Sequence, residues 1–294
     1  MKIGYPCINR TLQCKGNRTF RLRSYSDERM EQTIQNNLDC LFQILRFNLD
    51  HNILFFRISS DLIPFASHPI CKFPWQRMFQ HFFKEIGEFI TQNNMRISMH
   101  PDQFIILNTP REDVFQRSVA EIAYHVSILD LMKLDTTSKI QLHVGGVYND
   151  KSTSIKRFIE RFKSLDFSIK KRLVIENDEK SYSIQNCLQI HNRTGIPIVF
   201  DYFHHTLLNN QKPLAQVLSS CKQTWMEKDG IPMVDYSSQK PNGIRGAHAD
   251  HLNRSHFTRF LQEVKSYNCD LMLEIKDKER SAIQALKLLK SNQQ

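Results

Sequence analysis

The chain has no C-x-x-C pair among its seven cysteines, no low-complexity tract, and no apolar run near the roughly 18 residues a membrane span needs. Cys7, Cys14, Cys40, Cys71, Cys187, Cys221 and Cys269 are scattered and odd in number, so neither a zinc knuckle nor a disulfide framework is indicated. Polar residues enter MKIGYPCINRTLQC too early for a signal peptide. A soluble protein in a reducing, intracellular compartment is therefore expected. Nine glycines and ten prolines are spread over 294 residues without forming a linker, which favours one domain over 1–294. No G-x-S-x-G elbow, H-E-x-x-H or catalytic cysteine signature is present. Acidic residues are in the minority: 30 Asp and Glu against 40 Lys and Arg leave a formal charge of +10. That imbalance suggests an acidic partner such as nucleic acid.

What is present is a regular alternation of β-rich runs and amphipathic stretches. The candidate strands are Ile3–Asn9, Ile53–Ser59, Arg96–His100, Lys139–Val144, Arg172–Asn177, Pro197–Asp201, Ile231–Tyr236 and Asp270–Ile275. Helical patterns lie around Asp27–Leu49, Pro74–Asn93, Glu112–Leu134, Ser154–Ser164, Ser181–Arg193, Pro213–Glu227, Asn253–Tyr267 and Glu279–Leu289. The first of these repeats apolar residues at Ile34, Leu38, Leu41, Leu45 and Leu49, after small polar residues and acids suited to a first turn. Eight β-then-α units without a linker predict an α/β fold, a single-domain (β/α)8 TIM barrel. The rival is a doubly wound open sheet, but no G-x-G-x-x-G or Walker lysine follows the first strand.

Strands should be apolar, yet nearly every one ends in a ligand-type side chain. The third supplies His100 and Asp102, the fourth His143, the fifth Glu176, and the sixth Asp201, His204 and His205. The seventh supplies Asp235, the eighth Glu274, and the GAHADH loop adds His248 and His251. A barrel gathers these strand ends at one rim. A lone strand-end His or Asp more often caps a helix or bonds a loop backbone. Six ends behaving alike point to a divalent metal site. Glu176, Asp201, Asp235 and Glu274 carry −4 when ionised. Two divalent ions neutralise that charge and three leave a surplus suited to a phosphate, so phosphodiester hydrolysis fits the set. The basic runs near Lys156, Arg161 and Lys170 read as helix surface. The arm Lys15, Arg18, Arg21 and Arg23, after the first strand, is the better phosphate-contact candidate.

With those residues in view, the sequence resembles the UV damage endonucleases. The stretches GYPCINRTL, SMHPDQF, FDYFHH, VDYSSQ and LMLEIKDKE carry the resemblance across nearly the whole chain. It implies a DNA-repair barrel holding two or three divalent ions, typically Mn²⁺, with Mg²⁺, Zn²⁺ or Co²⁺ as alternatives. The implied reaction nicks UV-damaged double-stranded DNA immediately 5′ to cyclobutane pyrimidine dimers and 6-4 photoproducts, leaving a 3′-hydroxyl and a 5′-phosphate. The implied metal ligands are His100, His143, Glu176, Asp201, His204, Asp235, His248 and Glu274, with Glu176, Glu274 and His143 central to catalysis. Tyr5 and Asn9 match positions that hold the flipped lesion, and Gln103 and Phe104 match the pair that probes the duplex. Without the resemblance, Tyr5 and Asn9 read as packing and capping groups and Phe104 as loop core. Some members carry His where this chain has Asp235, Lys where it has Met233, and Tyr where it has Phe104. A monomer is expected, cytoplasmic and nucleoid-associated when on DNA, with no organic cofactor and no membrane partner. The rivals are an abasic-site endonuclease, a xylose-isomerase-type sugar isomerase and a non-catalytic damage-recognition module.

Overall fold

Strand segments of four or five residues close the chain into a barrel. The computed structural model describes residues 1–208 and 212–291. Its parallel strands are β1 (Ile3–Pro6), β2 (Phe55–Ile58), β3 (Arg96–Met99), β4 (Lys139–His143), β5 (Leu173–Glu176), β6 (Ile198–Asp201), β7 (Met233–Tyr236) and β8 (Asp270–Leu273). Each pairs with its sequence neighbours, and β1 closes the ring by pairing with β8. The expected (β/α)8 barrel is the observed fold. Every strand stops at or before its expected end, because the last one to three residues turn into the rim loops.

The helices on the outside are α1 (Asp27–Asp50), α2 (Trp75–Met78), α3 (Gln80–Gln92), α4 (Glu112–Leu131), α5 (Lys151–Ser164) and α6 (Phe167–Lys170). The ring continues with α7 (Ile184–Thr194), α8 (Tyr202–Leu207), α9 (Leu214–Lys222), α10 (Arg254–Glu263) and α11 (Glu279–Ser291). Ser26 caps α1 by accepting from the Arg29 amide, with Asp27 and Glu28 in the first turn, as the local sequence dictates. Gly195, at φ 75°, ends α7 in the left-handed conformation that glycine adopts without strain. The stretch expected as one helix over Pro74–Asn93 is two, broken at Phe79 where ψ reaches 11°. The helix expected over Pro213–Glu227 is the shorter α9 followed by a 3₁₀ turn at Glu227–Asp229.

Period-two alternation organises the barrel interior. Phe55, Val174, Val199, Met233 and Met272 form a small apolar plug of their own, apart from the larger helix–sheet core. Two residues further along the same strands stand Arg57, Glu176, Asp201, Asp235 and Glu274. These share the plug's inward face, one layer nearer the C-terminal rim. The register sets their heights: His143 is level with Glu176, and Asp201 with Asp235.

One expectation about cysteine is corrected. Cys14 and Cys40 are joined by a disulfide, with Cα atoms 5.6 Å apart, while Cys7, Cys71, Cys187, Cys221 and Cys269 are free. The 26-residue separation hides the pair, because only the packing of α1 against the segment after β1 brings them together. Among the described residues, no helix is long and apolar enough to cross a membrane.

Candidate metal centre and active face

Glu176 sits at the centre of the rim, 1 % exposed. Its Oε1 lies 2.9 Å from Nε2 of His100 and 3.0 Å from Nε2 of His143. Its Oε2 accepts a 2.7 Å hydrogen bond from the amide of Gln141. The same Gln141 amide donates to Asp235 at 2.6 Å, and the Gln141 carbonyl oxygen accepts from Arg57 at 3.0 Å. Arg57 grips both oxygens of Asp235, at 3.0 and 2.8 Å, and its other terminal nitrogen donates to Glu274. Asp201 begins α8 by accepting from the His204 amide at 2.7 Å. Asn177, wholly buried, exchanges two 3.0 Å hydrogen bonds with the Asp201 backbone and so holds β5 and β6 at this level.

Three groups of ligand atoms lie within 4.8 Å of one another: His100–His143–Glu176, Glu176–Asp201–His204, and Asp201–Asp235–Glu274. Seven of the eight residues expected to bind metal are thereby brought together. His248 joins none of the three groups, but it lies beside them, its Nδ1 3.8 Å from Glu274 Oε2. Asp102, His205 and His251 also stand outside the groups.

The imidazoles are set up as ligands. Nδ1 of His100, His204 and His248 bonds the carbonyls of Pro101, Asn177 and Glu274, at 2.9, 3.0 and 2.8 Å. An Nδ1–H engaged with a carbonyl leaves the Nε2 lone pair for a cation, the usual arrangement behind metal-bound histidine. This donor set of carboxylate oxygens and imidazole nitrogens fits Mn²⁺, Zn²⁺, Fe²⁺ or Mg²⁺.

The electrostatics ask for positive charge. Burial opposes ionisation of Glu176, but His143, His100 and His204 outweigh it and hold its carboxyl well below the usual range. Asp201 goes the other way: burial, reinforced by Glu274, Glu176 and Asp235, lifts it well above that range despite His204. Burial raises Asp235 to about 6 against the pull of Arg57, whereas at Glu274 the pull of Arg57 overcomes burial and brings the carboxyl down to about 2. His204, although buried, is pushed up to about 10 by Asp201 and Glu176. Protons thus stand in for cations, and metal binding would displace them.

A cavity of about 570 Å³ opens over this layer, with Arg57, His100, His143 and Glu274 on its floor and Phe104 and His248 on its walls. The comparisons with known proteins settle the family. A family model for the UV-endonuclease UvdE matches residues 1–294. The chain belongs to the UvdE family. It is 41 % identical over 292 residues to a UV DNA damage endonuclease of Clostridium perfringens, covering 99 % of this chain and 71 % of that protein. A Bacillus thuringiensis UV DNA damage endonuclease is 32 % identical over 301 residues, covering 99 % and 95 %. A crystal structure of SacUVDE superposes with a TM-score of 0.96 at 47 % identity, covering 100 % of this chain and 99 % of that one. A D-psicose 3-epimerase of Clostridium cellulolyticum, at TM-score 0.60 and 10 % identity over 99 % of each chain, shares the fold alone.

The residues expected to meet DNA divide into two pairs in this UvdE-family barrel. Gln103 and Phe104 are exposed on the loop after β3, and Phe104 is 73 % exposed rather than part of a loop core. Tyr5 and Asn9 are buried, and Tyr5 turns to the helix layer, where its hydroxyl bonds Asn48 of α1. Tyr5 is wholly buried, with its ring edge on Phe56, and Asn9 is 6 % exposed. Direct contact between Tyr5 and a flipped base is therefore not offered by this conformation, because the ring is enclosed by the core behind the rim. Lys15, Arg18, Arg21 and Arg23 are exposed, and Cys14–Cys40 ties their segment to α1. The basic runs expected as helix surface are in part structural: Arg157 and Arg161 bond the Asn108 and Leu107 carbonyls, and Arg172, between α6 and β5, is buried against Asp130.

Arg57, Gln141 and Asn177 escaped the sequence reading. Arg57 and Gln141 had a signal: each is a polar residue inside an apolar strand, and Gln141 lies two residues before His143 on the same inward face.

Proposed function

We propose that this chain is a divalent-metal-dependent DNA repair endonuclease that nicks duplex DNA immediately 5′ to cyclobutane pyrimidine dimers and 6-4 photoproducts, leaving a 3′-hydroxyl and a 5′-phosphate. The observation that carries the reading is a shared carboxylate, Glu176, standing between two ligand groups and in contact with His100 and His143, which line an open rim cavity in a UvdE-family chain. Mn²⁺ would be the preferred ion, and His100, His143, Glu176, Asp201 and His204 would hold it, with Glu274 and His248 alongside. Bound there, divalent ions would supply an activated water and neutralise charge on the scissile phosphate during an in-line displacement.

The chain's own residues do the rest. Glu176, Glu274 and His143 fix the reacting centre, and the carbonyl bonds at Nδ1 hold the rings of His100, His204 and His248 in orientation. Arg57 and Gln141 hold the buried carboxylates in place without competing conformers. Phe104 and Gln103 project where a duplex would lie across the cavity, so the ring can fill the gap left by an extruded dinucleotide. A photoproduct stacks and pairs poorly, which lowers the cost of extruding it and makes distortion rather than base sequence the selected feature. Tyr5 and Asn9 brace the strand end beneath that site. The exposed arginines of the arm, within the +10 excess, provide backbone contacts. The enzyme would act as a cytoplasmic monomer on chromosomal DNA.

The test is a nicking assay on a duplex carrying one central pyrimidine dimer, with Mn²⁺ and with EDTA. A metal-dependent cut immediately 5′ to the dimer is the expected result. Absence of that cut from folded, Mn²⁺-loaded protein, with cutting of an abasic duplex or turnover of a free sugar instead, would overturn the reading.

A further inference from the structure

We infer that Arg57 serves as a built-in cation for the third acidic group, so that the centre of this chain takes two divalent ions, one for each group that contains Glu176, and not three. This rests on the metal-centre reading above and deepens it.

The three ligand groups are not equivalent. Asp201–Asp235–Glu274 contains no imidazole and concentrates three carboxylates within 4.8 Å. Repulsion at that spacing demands a cation. The chain supplies one. Arg57 reaches in from β2, its side chain 3 % exposed, with one terminal nitrogen on both oxygens of Asp235 and the other on Glu274. The Gln141 carbonyl oxygen, 3.0 Å from the guanidinium, holds it from a further side. A planar fork with fixed donors matches two carboxylates in a way a mobile ammonium does not, and it stays charged at any working pH. Asp235 is fully committed: Arg57 takes both its oxygens and the Gln141 amide adds a third bond.

The other two groups are open in a different sense. Both contain Glu176, and two of their three imidazoles, His100 and His204, have Nδ1 on a carbonyl, with Nε2 of His100 2.9 Å from Glu176. The charge balance agrees. Once bound ions displace the protons, Glu176, Asp201, Asp235 and Glu274 carry −4, and Arg57 reduces this to −3. Two divalent ions bring the centre to +1, which one phosphodiester charge neutralises. Three would leave +3 in a site that must release a nicked product. Arg57 is thus a positioning residue that also sets the ion count.

The experiment counts ions without DNA. The chain is stripped with EDTA, dialysed against excess Mn²⁺, and its bound manganese is counted by native mass spectrometry and elemental analysis, with electron paramagnetic resonance reporting ion–ion coupling. Two ions are expected for the wild type and for Arg57→Lys, which keeps the charge. Arg57→Met, if folded by circular dichroism, is expected to rise to three as the freed carboxylates take an ion. Three ions on the wild type or on Arg57→Lys would overturn the inference, as would a folded Arg57→Met that still holds two. If Arg57→Met does not fold, the other two counts decide the matter. A folded wild type that binds no ion would instead refute the metal centre itself.

Discussion

Asn9 donates a 2.9 Å hydrogen bond to the hydroxyl of Tyr5 inside the barrel wall, and that hydroxyl in turn donates to Asn48 of α1 at 2.7 Å. The Asn9 side-chain oxygen Oδ1 accepts from the Thr11 and Leu12 amides, so this buried chain of polar groups ends by shaping the loop that leaves β1. A pair that resembles lesion-holding residues is, in this conformation, the brace beneath a rim loop. Tyr5→Phe should therefore act first on stability. Two buried polar groups lose their partner, at a cost on the order of 1–3 kcal/mol. Thermal unfolding checks this. A Tyr5→Phe protein of unchanged stability with reduced lesion binding would restore direct contact as the role of Tyr5.

Phe104 presents the opposite case. Its exposed ring contributes little to folding, so Phe104→Ala should leave stability within about 0.5 kcal/mol of the parent. If the ring fills the gap left by an extruded dinucleotide, removing one base–aromatic stack of about 1–3 kcal/mol weakens binding of a dimer-containing duplex roughly 5- to 150-fold. Binding to undamaged duplex should change little. Equal weakening on both duplexes would show that the ring contributes general affinity and no discrimination.

Glu176→Ala removes the ligand that two groups share. Both ions should be lost or weakened together, and nicking should fall by more than about 100-fold, since even partners behind a metal ligand are worth 10- to 100-fold. Lesion binding by gel shift should survive, because the rim loops and the basic arm are untouched. Retained nicking at full metal occupancy would remove Glu176 from the centre.

Arg18, Arg21 and Arg23 are exposed, and none has an ion-pair partner among the described residues. Replacing all three with Gln should lower the slope of log affinity against log salt by about 0.9 for each phosphate that is no longer neutralised. Because Cys14–Cys40 anchors the same segment to α1, Cys14→Ser should weaken DNA binding in the same direction while leaving bound manganese unchanged. An unaltered salt slope would place the phosphate-binding groups elsewhere on the rim.

His125 offers a pH test at a residue outside the metal-ligand set, linked to His100 through the Ser60 hydroxyl. Wholly buried in α4, it bonds the Glu121 carbonyl through Nδ1 and the Ser60 hydroxyl through Nε2, and burial brings its pKa down from 6.5 to about 4. The unfolded chain takes up this proton near pH 6.5 and the folded chain only near 4, so stability falls as the pH drops through that window. The loss amounts to about 3 kcal/mol at the acid end. Asp235, raised to about 6, contributes in the opposite sense over part of the same range. The measurement is therefore a difference: urea unfolding of wild type and His125→Gln from pH 7 to 4. The variant should start less stable and lose less, and parallel curves would exclude His125 as the source.

How much of this was legible beforehand follows from the range of the forces involved. Helix caps such as Ser26, the apolar repeat of α1 and the β–α alternation are local, and eight units of that kind leave few folds besides a barrel. Strand-end residues are local too, so the rim carboxylates and imidazoles are legible in the sequence itself. What the sequence could not decide is who faces whom. Arg57 meets Asp235 across 178 residues, Gln141 meets it across 94, and each pairing exists only because closure of the barrel turns these side chains into one shared interior. The direction of Tyr5, the pairing of Cys14 with Cys40 and the exclusion of His248 from the three groups have the same origin. By itself the sequence determined the elements, the rim and the chemical character of the site. Tertiary structure decided which charges neutralise one another, because that depends on distances of a few ångströms between residues that no local pattern relates.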